Sequence, residues 1–69
     1  MNRSIVRAIL LDVISNDSEA VMWNDIVIAV SAKMNIKNWL DVRSVLQELL
    51  DEELIERTPS VYVEEYVKL

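Results

Sequence analysis

Residues 43–69 read RSVLQELLDEELIERTPSVYVEEYVKL, and this stretch decides the fold. Val42, Val45, Leu46, Leu49 and Leu50 recur at the spacing of a helix that buries one face, while Arg43, Ser44, Gln47, Glu48, Asp51 and Glu52 occupy the other. The helical period breaks at LIERT. A TPS turn follows, with Pro59 supplying a fixed φ, and SVYVEEYVKL then alternates with period two. The expectation is a helix feeding two short strands joined by TPS. Val61, Val63, Glu65, Val67 and Leu69 share one face of the last strand, and Tyr62, Glu64, Tyr66 and Lys68 share the other. Each face holds a charge, so the alternation leaves open which one is buried. A hairpin this small is not stable alone and must pack on helices.

Working back toward the N-terminus, Asn38 is an N-cap candidate for that helix, with Asp41 at its third position. Before the NIKN turn, IVIAVSA carries β-branched residues that would suit a strand. Asn24 as a cap, Asp25 in the first turn and Ala29, Ala32 and Met34 favour a helix over residues 25–34. AVMW ahead of it is too short for a helix and reads as a short strand or an extended segment. The first helix is expected over Ser4–Ser15, with Ile5, Ile9 and Val13 on one stripe and Val6, Leu10 and Val13 or Ile14 beside it. Arg3, Arg7 and Asp12 lie outside that stripe. The polar cluster SNDSE stops the helix, with Asn16 available for a left-handed C-cap.

A chain of 69 residues is a single domain, and one of this size buries only about 60% of the surface its unfolded form exposes. It has no Cys and no His, which removes disulfides, thiolate metal sites and the commonest metal ligand and general base. Packing must supply the stability, in keeping with 52% hydrophobic residues. Neither a cofactor nor a metal is expected. The apolar run AILL ends at Asp12, too short for a secretory signal, and no stretch is long enough to span a membrane, so a soluble, cytoplasmic protein is expected. An enzyme is not expected. The DEE triplet at 51–53 points its carboxylates about 100° apart around a helix and reads as a solvated face. No nucleophile–base pair and no Gly-rich phosphate loop is present.

The net charge is −5. The middle of the chain is mildly basic, with Lys33, Lys37 and Arg43 against Asp41. The final third is acidic, with Arg57 and Lys68 against Glu48, Asp51, Glu52, Glu53, Glu56, Glu64 and Glu65. A phosphate-binding protein usually carries the opposite overall balance.

The order helix, short strand, helix, helix, strand, turn, strand resembles the winged helix-turn-helix fold. VRSVLQELLDEELIER resembles the third helix and its exit in bacterial winged-helix regulators, where an apolar pair and an arginine enter the first wing strand. Leu54, Ile55 and Arg57 match that exit, and MWNDIVIAV resembles the strand leading into the second helix. The implied class is mainly α with a small β-hairpin: a winged-helix-like three-helix core plus a C-terminal two-stranded wing. Three features depart from the pattern. Glu53 stands where a glycine is common, and either it adopts a positive φ at some cost or the turn differs. The wing is short and not basic, and the exposed end of the third helix is acidic.

The resemblance implies a small double-stranded DNA-binding protein, a transcriptional regulator acting as a dimer. Asn38, Arg43, Ser44 and Gln47 would face bases from the third helix, and Lys33, Lys37 and Arg57 would contact phosphates. The composition supports a second reading on the same fold, an acidic protein-interaction module. Trp39, Tyr62 and Tyr66 would then be contact residues, and a variant is a small inhibitor, of the kind some phages encode, that occupies another protein's nucleic-acid groove. Each of these residues also has a plainer reading. Trp23 caps the core beside the second helix, Trp39 closes the core between the second and third helices, and the three cations between 33 and 43 decorate the surface.

Overall fold

Asn2 opens the first helix: its side chain accepts the Ile5 N–H at 3.2 Å. In the computed structural model, which describes residues 2–16 and 19–69, helix α1 runs Arg3–Ser15 and leads to strand β1, Val21–Met22. Helix α2 is Trp23–Lys33, helix α3 Trp39–Asp51, strand β2 Ile55–Arg57 and strand β3 Glu65–Lys68. The protein is mainly helical with a small antiparallel sheet, the winged-helix-like class that the element order implies. Val6, Leu10 and Ile14 are the buried stripe of α1. Ile5, expected inside, is 48% exposed, and Ile9 and Val13 are partly buried. Asn16 is right-handed (φ −85°, ψ −7°), not the left-handed cap expected of it; its N–H reaches the Asp12 carbonyl and its side-chain amide the Asp12 carboxylate at 2.7 Å. Two residues of the SNDSE cluster, 17 and 18, lie outside the described residues.

Helix α2 forms in spite of its β-branched residues because Ile26 and Val30, one turn apart, are buried. Asp25 in the first turn and Lys33 in the last suit the helix dipole. The helix starts at Trp23, so Asn24 is not its cap. The reason is the sheet: the Trp23 N–H, an orphan donor at a helix start, reaches the Glu64 carbonyl at 2.9 Å. Met22, the cap position, makes no side-chain bond and is extended because it belongs to β1. Asn38 does cap α3, accepting the Leu40 N–H at 3.1 Å. Val42, Val45, Leu46 and Leu49 are buried as expected, and Leu50 is partly buried.

The exit from α3 is a Schellman turn. The Glu53 N–H bonds the Leu50 carbonyl and the Leu54 N–H the Leu49 carbonyl, each at 3.1 Å. Glu53 adopts φ 60°, the positive φ that its place in the sequence demands of a residue with a Cβ.

The sheet differs from the expected two-stranded wing. Its order is β1-β3-β2, with β3 antiparallel to both neighbours. Tyr66 is central, opposite Val21 on one side and Arg57 on the other. It is only 3% exposed, and with Val21 and Ile55 it closes the core. The connection between β2 and β3 is also longer than TPS. Pairing stops at Arg57 and resumes at Glu65, so Val61, Tyr62 and Val63 belong to the wing loop. There the Ser60 hydroxyl accepts the Tyr62 and Val63 N–H groups at 3.4 Å each, and such a side-chain turn competes with strand pairing.

Two substitutions test this packing. Leu46→Ala should lower the unfolding free energy by about 2–5 kcal/mol, read from urea denaturation. Glu53→Gly should raise it by about 0.5–1 kcal/mol, because glycine enters the left-handed region without a steric penalty.

Candidate interaction surface

Arg43 lies on the outer face of α3 and is held from two sides. Its two terminal nitrogens donate to the two carboxylate oxygens of Glu64, each at 2.9 Å. Its guanidinium carbon sits 4.0 Å from the centroid of the Trp23 ring, within cation–π range. Trp23 in turn meets Trp39 edge to face, with centroids 6.1 Å apart and planes at 86°. Glu64 also accepts the Tyr66 hydroxyl at 2.9 Å. At the base of the wing, Glu64 therefore joins α3 and β3 through its carboxylate and the start of α2 through its backbone carbonyl.

The electrostatics follow from this geometry. The hydrogen bond from Arg43 holds the Glu64 carboxyl below its ordinary value of 4.5, and the same bond raises the Arg43 guanidinium. Burial, and then the bond to Glu64, push the Tyr66 phenol from 10.0 to about 12.

The residues expected to read DNA are separated by these pairings. Arg43 is committed to Glu64. The Ser44 hydroxyl accepts Arg3 at 3.2 Å, and the Gln47 amide donates to Asp51 at 2.9 Å. Arg3 also pairs with Glu48 and Arg7 with Glu52, which fastens α1 to α3. Asn38 is engaged as the helix cap. Lys33 and Lys37 are exposed around the α2–α3 turn, and Arg57 is exposed on β2; no ion pair is formed by these three among the described residues. Lys37 and Asn38 line a shallow cavity of about 330 Å³ with Met34, Asn35, Ile36 and Asp41.

Of the aromatic candidates, Trp39 is partly buried against the core, and Tyr62 is 94% exposed at the wing tip. Tyr66 is not a surface contact, because the sheet register turns it into the core. Beside Tyr62, a cavity of about 250 Å³ is lined by Met22, Trp23, Asn24, Val63 and Glu64 as well. Val61 is 87% exposed and Leu40, at the start of α3, 73% exposed. Sequence reasoning missed Glu64 and the pairing role of Trp23. Both act through residues distant in the chain, and no local pattern marks them. The exposure of Val61 and Val63 was hidden by an alternation that reads as a strand.

No helix is long and apolar enough to cross a membrane, and no group of three acidic side chains gathers to hold a metal, among the described residues. No family model, curated protein or solved structure matches the chain.

Two pH dependences follow. Glu64 is depressed, so the stability from its bridge is complete above pH 4.5 and is lost as the pH falls through the lowered value. The urea midpoints of Glu64→Gln and the unsubstituted protein should therefore converge on acidification. Tyr66 is raised, so its contribution is complete below pH 10.0 and is lost as the pH climbs to about 12. Tyr66→Phe should flatten that alkaline decline.

Proposed function

We propose that this protein is a protein-interaction module of the winged helix-turn-helix superfamily, and that its contact surface is the wing tip with the aromatic strip beside it. The observation that carries the reading is the inversion of polarity on the face where a DNA reader needs free donors. Arg43, Ser44 and Gln47 are occupied by groups of the same chain. Among the large hydrophobic side chains, Tyr62, Val61, Leu40 and Ile28 are the most exposed. Tyr62, Trp23 and Arg43 belong to the residue types that dominate the energetics of protein interfaces. The net charge of −5 works against a polyanion as the main partner. Element order, the strand–helix junction at Trp23 and the positive-φ turn at Glu53 support the superfamily.

A second reading, a DNA-binding regulator, is favoured by Lys33, Lys37 and Arg57, which form no ion pair among the described residues.

Titration of labelled mixed-sequence duplex separates the two. The expected result is no binding by the folded, unsubstituted protein at about 50 µM in low salt. Saturable binding well below that concentration would overturn the protein-interaction reading. Tyr62→Ala should leave the unfolding free energy within about 0.5 kcal/mol while weakening association with the protein partner by about 2 kcal/mol, measured by calorimetry.

A further inference from the structure

We infer that the outer face of the sheet, the one turned away from the helices, is a second docking surface whose occupant is a cationic amphipathic helix of a partner protein. This goes beyond the wing-tip reading and does not rest on it.

Strand alternation builds the face. Val21, Ile55 and Tyr66, one from each strand, join the buried cluster that the helices form. Their neighbours along the strands point the other way. Met22 of β1, Glu56 of β2, and Glu65 and Val67 of β3 therefore share the outer face. Pairing continues one step past the strands, where the Leu69 N–H reaches the Leu54 carbonyl at 3.2 Å. Leu54 and Leu69 thus stand side by side on the same face. Met22, Leu54 and Leu69 are exposed, and Val67 is partly buried.

The charge on this face selects the occupant. Its ionisable groups are Glu56 and Glu65, and neither forms an ion pair among the described residues. Glu65 accepts only a neutral donor there, the Thr58 hydroxyl at 2.8 Å. The cations of the strands, Arg57 and Lys68, stand opposite Tyr66 and Ile55 in the register and so belong to the other face. Apolar groups set among carboxylates complement apolar groups set among cations. A second copy would bring the same carboxylates against themselves, and an anionic surface would be repelled.

The edges of the sheet favour a helix over an added strand. Strand addition needs a row of free backbone groups at an edge. The Thr58 N–H and the Leu54 carbonyl both bond to β3, so the groups that face outward from β2 are those of Ile55 and Arg57. Ile55 is only 1% exposed, which closes that edge. On β1 the Trp23 N–H is taken by Glu64, and the two-residue strand turns Met22 alone outward. Docking then falls to side chains, and a helix laid across a sheet is a common second layer. Glu56 lies opposite Val67 and so diagonal to Glu65. Diagonal neighbours are about 7–8 Å apart, within reach of two long cationic side chains whose origins lie one helical turn, about 5–6 Å, apart.

The probe is a capped synthetic helix of about 15 residues, with leucines along one face and lysines at four-residue spacing beside them. A version with glutamate in place of lysine is the control. Each is titrated at low salt, with affinity read by fluorescence and the contact surface by amide NMR shifts. The lysine helix should bind, shifting Met22, Leu54, Glu56, Val67 and Leu69, and the glutamate helix should not. Glu56→Gln/Glu65→Gln should weaken binding about tenfold. Asp12→Asn/Asp41→Asn, which makes the same change in net charge on two helices, should stay within about twofold. Leu69→Ser should cost about fivefold. Tyr62→Ala should leave this affinity unchanged, so failure here is separable from failure of the wing-tip reading. No binding of the lysine helix, equal binding of the glutamate helix, equal losses from the two double substitutions, or shifts confined to other elements would each overturn the proposal. A dimer of the unsubstituted protein that Leu69→Ser dissociates, read by sedimentation, would assign the face to a second copy and overturn it too. If a variant does not fold, the shift map of the unsubstituted protein with the two helices still decides.

Discussion

Strand β3 lies between β1 and β2, and its pairing closes a helical core that would otherwise be open at one end. The three helices supply Val6, Leu10, Ile14, Ile26, Val30, Val42, Val45, Leu46 and Leu49. The sheet adds Val21, Ile55 and Tyr66, one from each strand. Tyr66 is the largest of the three and sits at the centre of the register, opposite residues from both neighbours. A chain without disulfides or glycine has few other means of fixing its last residues, so this one side chain sets where the wing begins. The constraint reaches α2 as well. Pairing β1 with β3 brings the Glu64 carbonyl to the Trp23 N–H, and the helix can then start without a side-chain cap.

The same closure determines the charges on the surface. Glu64 stands two residues before Tyr66 and is carried to Arg43 by the strand that Tyr66 anchors. An arginine that the resemblance assigns to a DNA contact thereby becomes part of the wing's attachment. Exposed ion pairs are ordinarily worth little. This one differs in being bidentate, stacked on an aromatic ring and joined to a nearly buried tyrosine, so its two partners restrict each other in orientation. The consequence is a wing whose polar base is satisfied and whose apolar tip is presented to solvent.

Much of this architecture is legible locally, and the failures are of one kind. The period of α3, the Asn38 cap and the positive φ of Glu53 depend on neighbours within a turn, and each can be read from a few adjacent residues. The Asn24 cap, the TPS hairpin and the ambiguous face of the last strand depend on pairing between positions far apart. Asn24 is a good cap by type, yet the helix begins one residue before it, where the Trp23 N–H is met by the carbonyl of Glu64, far along the chain. Val61, Tyr62 and Val63 alternate like a strand, but no partner strand extends beyond Arg57 to meet them. The candidate site suffers most from this. Lys33, Lys37 and Arg43 look equivalent as cations in the sequence, and only the fold distinguishes the one that has a carboxylate partner.

That distinction bears on how a small acidic domain can keep a winged-helix-like shape without a basic reading face. Three of its arginines, Arg3, Arg7 and Arg43, are each paired with a carboxylate of another element, and so tie α1 to α3 and α3 to the wing. Cations used as internal ties are withdrawn from the field that would steer a polyanion toward the surface. On the proposed interaction reading, the exposed apolar and aromatic groups would contribute on binding by leaving water. The wing loop is where such groups accumulate, because its Ser60 turn holds Val61 and Tyr62 out of strand pairing and leaves them exposed.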